Sequence, residues 1–170
     1  MTKTTRLALL AALLAAPSFS QTAERKPEEQ TKYFRLDFTV KELEGGKVVN
    51  ARNYSASLSN QKGDTGSVRT GDKVPVQGGD RGQFTYIDVG VNIDCNSLSE
   101  VGGHLAIHVI ADVSSIATEA PGNGLGPLIR QSRWSSTVLV PLRKPTTIFS
   151  SDGASTKRQT QLELTATPIP

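Results

Sequence analysis

The stretch 82-GQFTYIDVGVNIDC-95 alternates in side-chain character almost without a break. Thr85, Ile87, Val89, Val91, Ile93 and Cys95 fall on one side of an extended chain; Phe84, Tyr86, Asp88, Gly90, Asn92 and Asp94 fall on the other. Successive side chains of a strand point to opposite faces, so this period of two predicts a β-strand with one apolar face. We read Thr85, Ile87, Val89, Val91 and Ile93 as facing a core, with Tyr86, Asp88 and Asn92 toward solvent or a partner edge. The alternative sets lipid against the Ile face and a water-filled lumen against the Asp face.

The same period recurs on both sides of this stretch. In "YFRLDFTVKEL", Phe34, Leu36, Phe38 and Val40 share a face, and in "HLAIHVIADVSSI" Leu105, Ile107, Val109, Ala111 and Val113 do. In "IRQSRWSSTVLVPL" the register runs through Trp134, Ser136, Val138, Val140 and Leu142. Weaker strands are "VVNARNYSASLS", "VRTGDKVPV", "TTIFS" and "RQTQLELTATPI", separated by the turns "EGGK", "NQKGDTGS", "QGGDRG", "NSLSEVGG" and "SDGASTK". Pro75 cannot donate to a ladder, which argues for an edge position or a bulge. Helical periodicity longer than two turns occurs only near the N-terminus. The expectation is an all-β domain: one antiparallel β-sandwich or partly open barrel of about seven to eight strands.

The N-terminus reads as a secretory signal peptide: Lys3 and Arg6 precede the apolar run Leu7–Ala16, and Ser18 and Ser20 suit a cleavage site after Ser20. The run has ten residues, short of the ~20 that a membrane-spanning helix needs. The expected organisation is a signal peptide over 1–20, a disordered leader over 21–31 and a β domain over 32–170. Removing residues 1–20 takes two of the 19 basic residues and none of the 16 acidic ones, which lowers the net charge from +3 to +1. Such a balance, with mixed signs along the chain, supports no nucleic-acid partner. Cys95 is the single cysteine, so no internal disulfide can form, and its place on the Ile93 face predicts a small buried hydrophobe.

Signatures of catalysis are absent from the pattern. His104 and His108, four apart on a strand, lie on one face but ~13 Å from each other, too far to share a metal ion. There is no G-x-S-x-G elbow, and "GNGLG" at 122–126 precedes no helix that would hold a phosphate. Asp88 and Asp94 are read as solvated or turn-forming carboxylates. "NYS" at Asn53 fits a glycosylation sequon without further support. Trp134 is in phase with Val138 and Val140 and is read as core. No catalytic residue, metal or cofactor is expected.

From Arg69 onward the ordered set of segments resembles the C-terminal core of bacterial secretins, the outer-membrane channels of type II and type III secretion and of type IV pili. "GDKVPV" (71–76) is similar to the family's G-x-x-(V/I)-P segment, and "YIDVGVNI" (86–93) to its Y-x-D-V-G-V-x-L strand. "LAIHVIADVSSI", "RQSRWSSTVLV" and "LTATPI" follow in the family's order, so that the likeness covers roughly the last hundred residues. The chain departs from the family plan in two respects. Only one or two strands precede this core, where secretins carry ring-building domains. The interval from Thr147 to Arg158 is too short for the family's gate hairpins, and "SSDGASTK" stands where a glycine-rich stretch is usual.

The function these readings imply is an exported, non-enzymatic β-sandwich module of the periplasm or cell envelope, with a binding or structural role. Its partner would be another protein or a second copy, met through edge strands. Candidate contact residues are Pro75, the Glu119–Pro127 loop with Gly122, Asn123 and Gly124, and Arg130 and Arg133 beside Trp134. The alternatives are an oligomeric outer-membrane component of a secretion or pilus system, and a polysaccharide-acting hydrolase with two converging carboxylates.

Overall fold

Alternating segments of this kind must pair and then bury their apolar faces against a second layer. The computed structural model, which describes residues 30–78, 83–116, 128–153 and 157–170, shows both steps. Eight strands run β1 (Tyr33–Glu44), β2 (Lys47–Ser59), β3 (Thr65–Gly78), β4 (Gln83–Val101), β5 (His104–Ile116), β6 (Ile129–Pro141), β7 (Thr146–Asp152) and β8 (Arg158–Ile169). They form two four-stranded sheets, ordered β2-β1-β8-β7 and β3-β4-β5-β6, with every strand-to-strand pairing antiparallel. The arrangement is a β-sandwich. A single parallel bridge, Leu142 to Ala166, ties the end of the second sheet to the first, and the Arg143 N–H donates to the Ala166 carbonyl at 2.8 Å.

The core lies where the two inner faces meet. The first sheet contributes Phe34, Leu36, Phe38, Val40, Leu162, Leu164 and Ala166; the second contributes Val91, Ile93, Cys95, Leu105, Ile107, Val109 and Val140. Each large side chain buried this way stabilises the fold by ~1.5–3 kcal/mol relative to exposure. Cys95 is a packed hydrophobe, as its position implies, and burial, helped by the Asp94 charge, pushes its thiol up to about 12. Trp134 packs against the rim of the core with its ring centroid 5.7 Å from that of Phe149. Pro75 sits on β3, an edge strand of the second sheet, where its missing donor costs no ladder bond.

Two readings of β4 change. "NSLSEV", expected as part of a turn, continues the strand to Val101 through an irregularity between Asn96 and Ser99, where Ser97 has φ 54°. A bulge inserts residues without ending a strand, and here it leaves Leu98 buried in the core. The reversal falls at Gly102–Gly103, whose φ values of 56° and 77° suit a tight hairpin. At the other end, Thr85 and Ile87 are exposed rather than in the core. They keep the alternation, but β4 has run past the second layer at that level.

The β2–β3 connection is held by Asp64, whose carboxylate accepts from the Ser59 hydroxyl at 2.6 Å and the Ser59 N–H at 2.7 Å. The hydroxyl bond first, then the N–H bond, lower the Asp64 pKa below the ordinary carboxylate value. A depressed folded pKa contributes stability above the unfolded value, and that contribution is lost as pH falls through the folded one. Asp64→Asn is therefore expected to be less stable than wild type at neutral pH, with the two converging in acid; parallel denaturant titrations across pH check this, and a constant gap would contradict it.

By its internal contacts Thr31–Pro170 forms one compact unit.

Candidate interaction surface

The second sheet divides at one end. β4 pairs with β3 along its first fourteen residues, from Gln83↔Gly78 to Asn96↔Thr65, but with β5 only from Val91↔Val113 onward. Residues 71–78 and 83–90 thus leave the sandwich as a two-stranded ribbon, ~25 Å long at ~3.3 Å per residue. Where the β4–β5 ladder stops, Ser114 substitutes for it: its hydroxyl accepts from the Gly90 N–H at 2.9 Å and donates to the Gly90 carbonyl at 3.4 Å.

At the root of the ribbon Gly71 faces Gly90 across the strands. A Cβ on Gly90 would meet the Thr70 carbonyl oxygen at 2.1 Å, and one on Gly71 would meet the Val89 carbonyl oxygen at 2.5 Å. Such a close backbone approach marks a local bend of the paired strands, and only glycine permits it. "GDKVPV" (71–76) and "YIDVGVNI" (86–93) pair with each other here, in register from Gly71↔Gly90 to Pro75↔Tyr86.

Both ribbon faces carry apolar groups. Val74, Val76, Thr85 and Ile87 lie on one side, and Pro75 opposes Tyr86 on the other, next to Phe84 and the 2.8 Å Lys73–Asp88 ion pair. Phe84 and Tyr86 are 62% and 64% exposed. Among the described residues neither ribbon edge is paired: β3 is the outer strand of its sheet, and β4 lacks a neighbour before Val91. A two-stranded ribbon with both faces in water is marginal by itself, and an open edge with apolar flanks is a template for another strand.

Inside the bend lies a polar groove of about 820 Å³ lined by Arg69, Asp88, Asn92, Asp94, Asp112 and Arg133, among others. Its charges are matched: Arg69 to Asp94 at 2.5 Å, Arg133 to Asp112 at 3.3 Å, with Gln131 also donating to Asp112 at 2.7 Å. Asp88 is ion-paired to Lys73 and Asp94 to Arg69, so each carboxylate is already engaged rather than set against the other as in a glycosidase pair. Asp94 and Asp112 are each held by a guanidinium. His108 lies on the same outer face, with Nδ1 3.2 Å from the Thr137 hydroxyl, while the His104 Nδ1 is 3.1 Å from the Gly102 carbonyl.

The expected contact residues do not gather at one place. Pro75 is on the ribbon. Arg133 faces outward into the groove, whereas Arg130, three residues earlier on the strand, faces inward to a separate cleft. Gly122, Asn123 and Gly124 lie outside the described residues. Tyr86, expected toward solvent or a partner edge, is exposed, as is Phe84 on the same face, whereas the Gly71–Gly90 pair and Ser114 were not singled out in the sequence. A lone glycine in each of two strands was the available sign, since it marks a close backbone approach.

No protein-family model matches the chain, and no curated protein does. Among solved structures, it is similar to the Salmonella SPI-1 type III secretion injectisome secretin InvG, at 8% identity over 82% of this chain and 64% of that one, with TM-score 0.47. It is similar to the type II secretin GspD from enteropathogenic Escherichia coli at 8% identity, covering 82% and 66%, with TM-score 0.47. A chain of the Klebsiella pneumoniae type II secretion system outer membrane complex matches at 10% identity, covering 82% and 38%, with TM-score 0.46. The match thus spans less than two thirds of the Salmonella chain, and the sandwich assignment rests on the strand pairing alone.

Proposed function

We propose that this chain is an exported, non-enzymatic β-sandwich module that works in the cell envelope by binding protein through the β3–β4 ribbon. The observation that carries the reading is the ribbon itself: two edges unpaired among the described residues and apolar groups on both faces, with Gly71, Gly90 and Ser114 at its root. A partner strand added to such an edge gains main-chain hydrogen bonds and pockets for alternate side chains. The ordered segments that resemble the secretin strand core support kinship with that group, and Lys3, Arg6 and the Leu7–Ala16 run support export with cleavage after Ser20.

The second reading is an oligomeric outer-membrane component. Two open edges per copy would let ribbons pair in series, and a closed ring of strands leaves no edge unsatisfied in lipid. Fractionation of the host followed by size-exclusion chromatography separates the two. A soluble pool of the chain supports the first, and a heat-sensitive, detergent-resistant multimer in the membrane fraction supports the second. In either pool the double variant Phe84→Ser, Tyr86→Ser is expected to reduce association at least tenfold while leaving the unfolding midpoint unchanged. Unaltered association would remove the ribbon from the account.

A further inference from the structure

The inner faces of the two sheets do not remain apolar to the end of the sandwich. Along β5 the inward positions pass from Val113 to Ser115, along β6 from Trp134 to Ser132 and Arg130, and along β8 from Leu162 to Thr160. β1 passes from Val40 to Glu42, and β7 from Phe149 to Ser151. Five strands thus change character at the same level. The small hydroxyl side chains leave a cleft of about 420 Å³ between the sheets, within the ~300–1,000 Å³ range of small-molecule sites.

The charges in this cleft are unequally matched. Glu42 is held by Arg52 at 2.9 Å, and Arg158 lies 3.9 Å from Glu44. Asp152 accepts from the Gln159 amide at 3.0 Å. Arg130, half-buried and inward-facing, has no hydrogen-bond or ion-pair partner among the described residues. It lies directly across from Ser115 in the β5–β6 register, and Ser132, Ser151 and Thr160 line the same cleft. A guanidinium presents a planar fork of donors that matches the two oxygens of a carboxylate or phosphate. The surrounding hydroxyls can donate to whichever oxygens remain.

We propose that this cleft binds a small polar oxyanion, a carboxylate- or phosphate-bearing molecule, with the Arg130 guanidinium as its anchor and Ser115, Ser132, Ser151 and Thr160 as the hydroxyl lining. Glu42 and Asp152 on the opposite wall select for ligands whose remaining surface offers hydroxyl or ammonium donors. The site is independent of the ribbon, on the inner rather than the outer face of the second sheet.

The test is a titration of the isotope-labelled full chain with sodium phosphate, acetate and glucuronate, each at constant ionic strength, followed by amide chemical shifts. Saturating shifts are expected at Ser115, Arg130, Ser132 and Thr160 for at least one probe, with phosphate against the two carboxylates deciding which oxyanion is preferred. Arg130→Gln is expected to weaken that binding about tenfold or more, as loss of a charge-assisted bond does, with Arg130→Lys intermediate and the remaining resonances of both variants unmoved. Absence of saturation for all three probes, or equal affinity in Arg130→Gln, would overturn the proposal. So would shifts spread over exposed basic residues.

Discussion

Gly90→Ala is expected to destabilise the fold by about 3 kcal/mol, at the upper end of overpacking costs. The added methyl would lie 2.1 Å from the Thr70 carbonyl oxygen and 2.4 Å from the Gly71 Cα. These are backbone atoms of the paired strand, so no rotamer change relieves the contact; the strands must separate at the bend. Gly71→Ala meets the Val89 carbonyl oxygen at 2.5 Å and should behave alike. Gly66→Ala is the control, since its nearest neighbour would be 3.4 Å away, and it should stay near wild type. Urea unfolding of the three variants checks this, and a Gly90→Ala midpoint equal to that of Gly66→Ala would contradict the bend. Because the same contact aims the ribbon, Gly90→Ala should also impair association in whatever fraction remains folded.

Phe38→Ala should cost about 3–5 kcal/mol, the range for emptying a buried aromatic site. Phe38 is fully buried between the sheets. For a domain whose total stability is ~5–15 kcal/mol, that is about a fifth or more. The identical change at Phe84, which is 62% exposed on the ribbon, should be nearly neutral. Both phenylalanines lie on alternating strands and cannot be distinguished by residue type, so the contrast isolates layering. Equal destabilisation at the two positions would mean that the ribbon is packed against something in the folded monomer.

That contrast also marks where reading the chain as a string stops. Alternation identifies the two faces of a strand, and it placed Phe34–Val40, Val91–Ile93 and Leu105–Val113 correctly because each lies in the core between the sheets. It cannot tell how far a partner layer extends. Thr85 and Ile87 continue the apolar face of Val89 without a break, yet both are exposed among the described residues, where β4 has no β5 neighbour before Val91. The "NSLSEV" segment looked like a turn by composition, but burial of Leu98 outweighed the turn preference of its neighbours.

The site was less legible than the fold. Arg130 and Arg133 were both named as candidate contact residues beside Trp134, although a spacing of three on a strand sends them to opposite faces. Their separation was therefore available from period alone once the strand was accepted. The ion-pair partners of the groove were not available, since Arg69 and Asp94, or Asp112 and Arg133, meet only through strand register. Gly71 and Gly90 carried a readable sign, but that they face each other depends on the hairpin register.

The central claim is that the β3–β4 ribbon is the docking element. Its most direct measurement is position-specific photocrosslinking in the native host, with the probe at Tyr86 on the ribbon and, as control, at Val48 on the edge strand β2, which is also exposed. The account predicts a discrete protein adduct from position 86, identified by mass spectrometry as a second copy or as one defined partner, and none from position 48. No adduct at 86, or indistinguishable adducts from both positions, would contradict it.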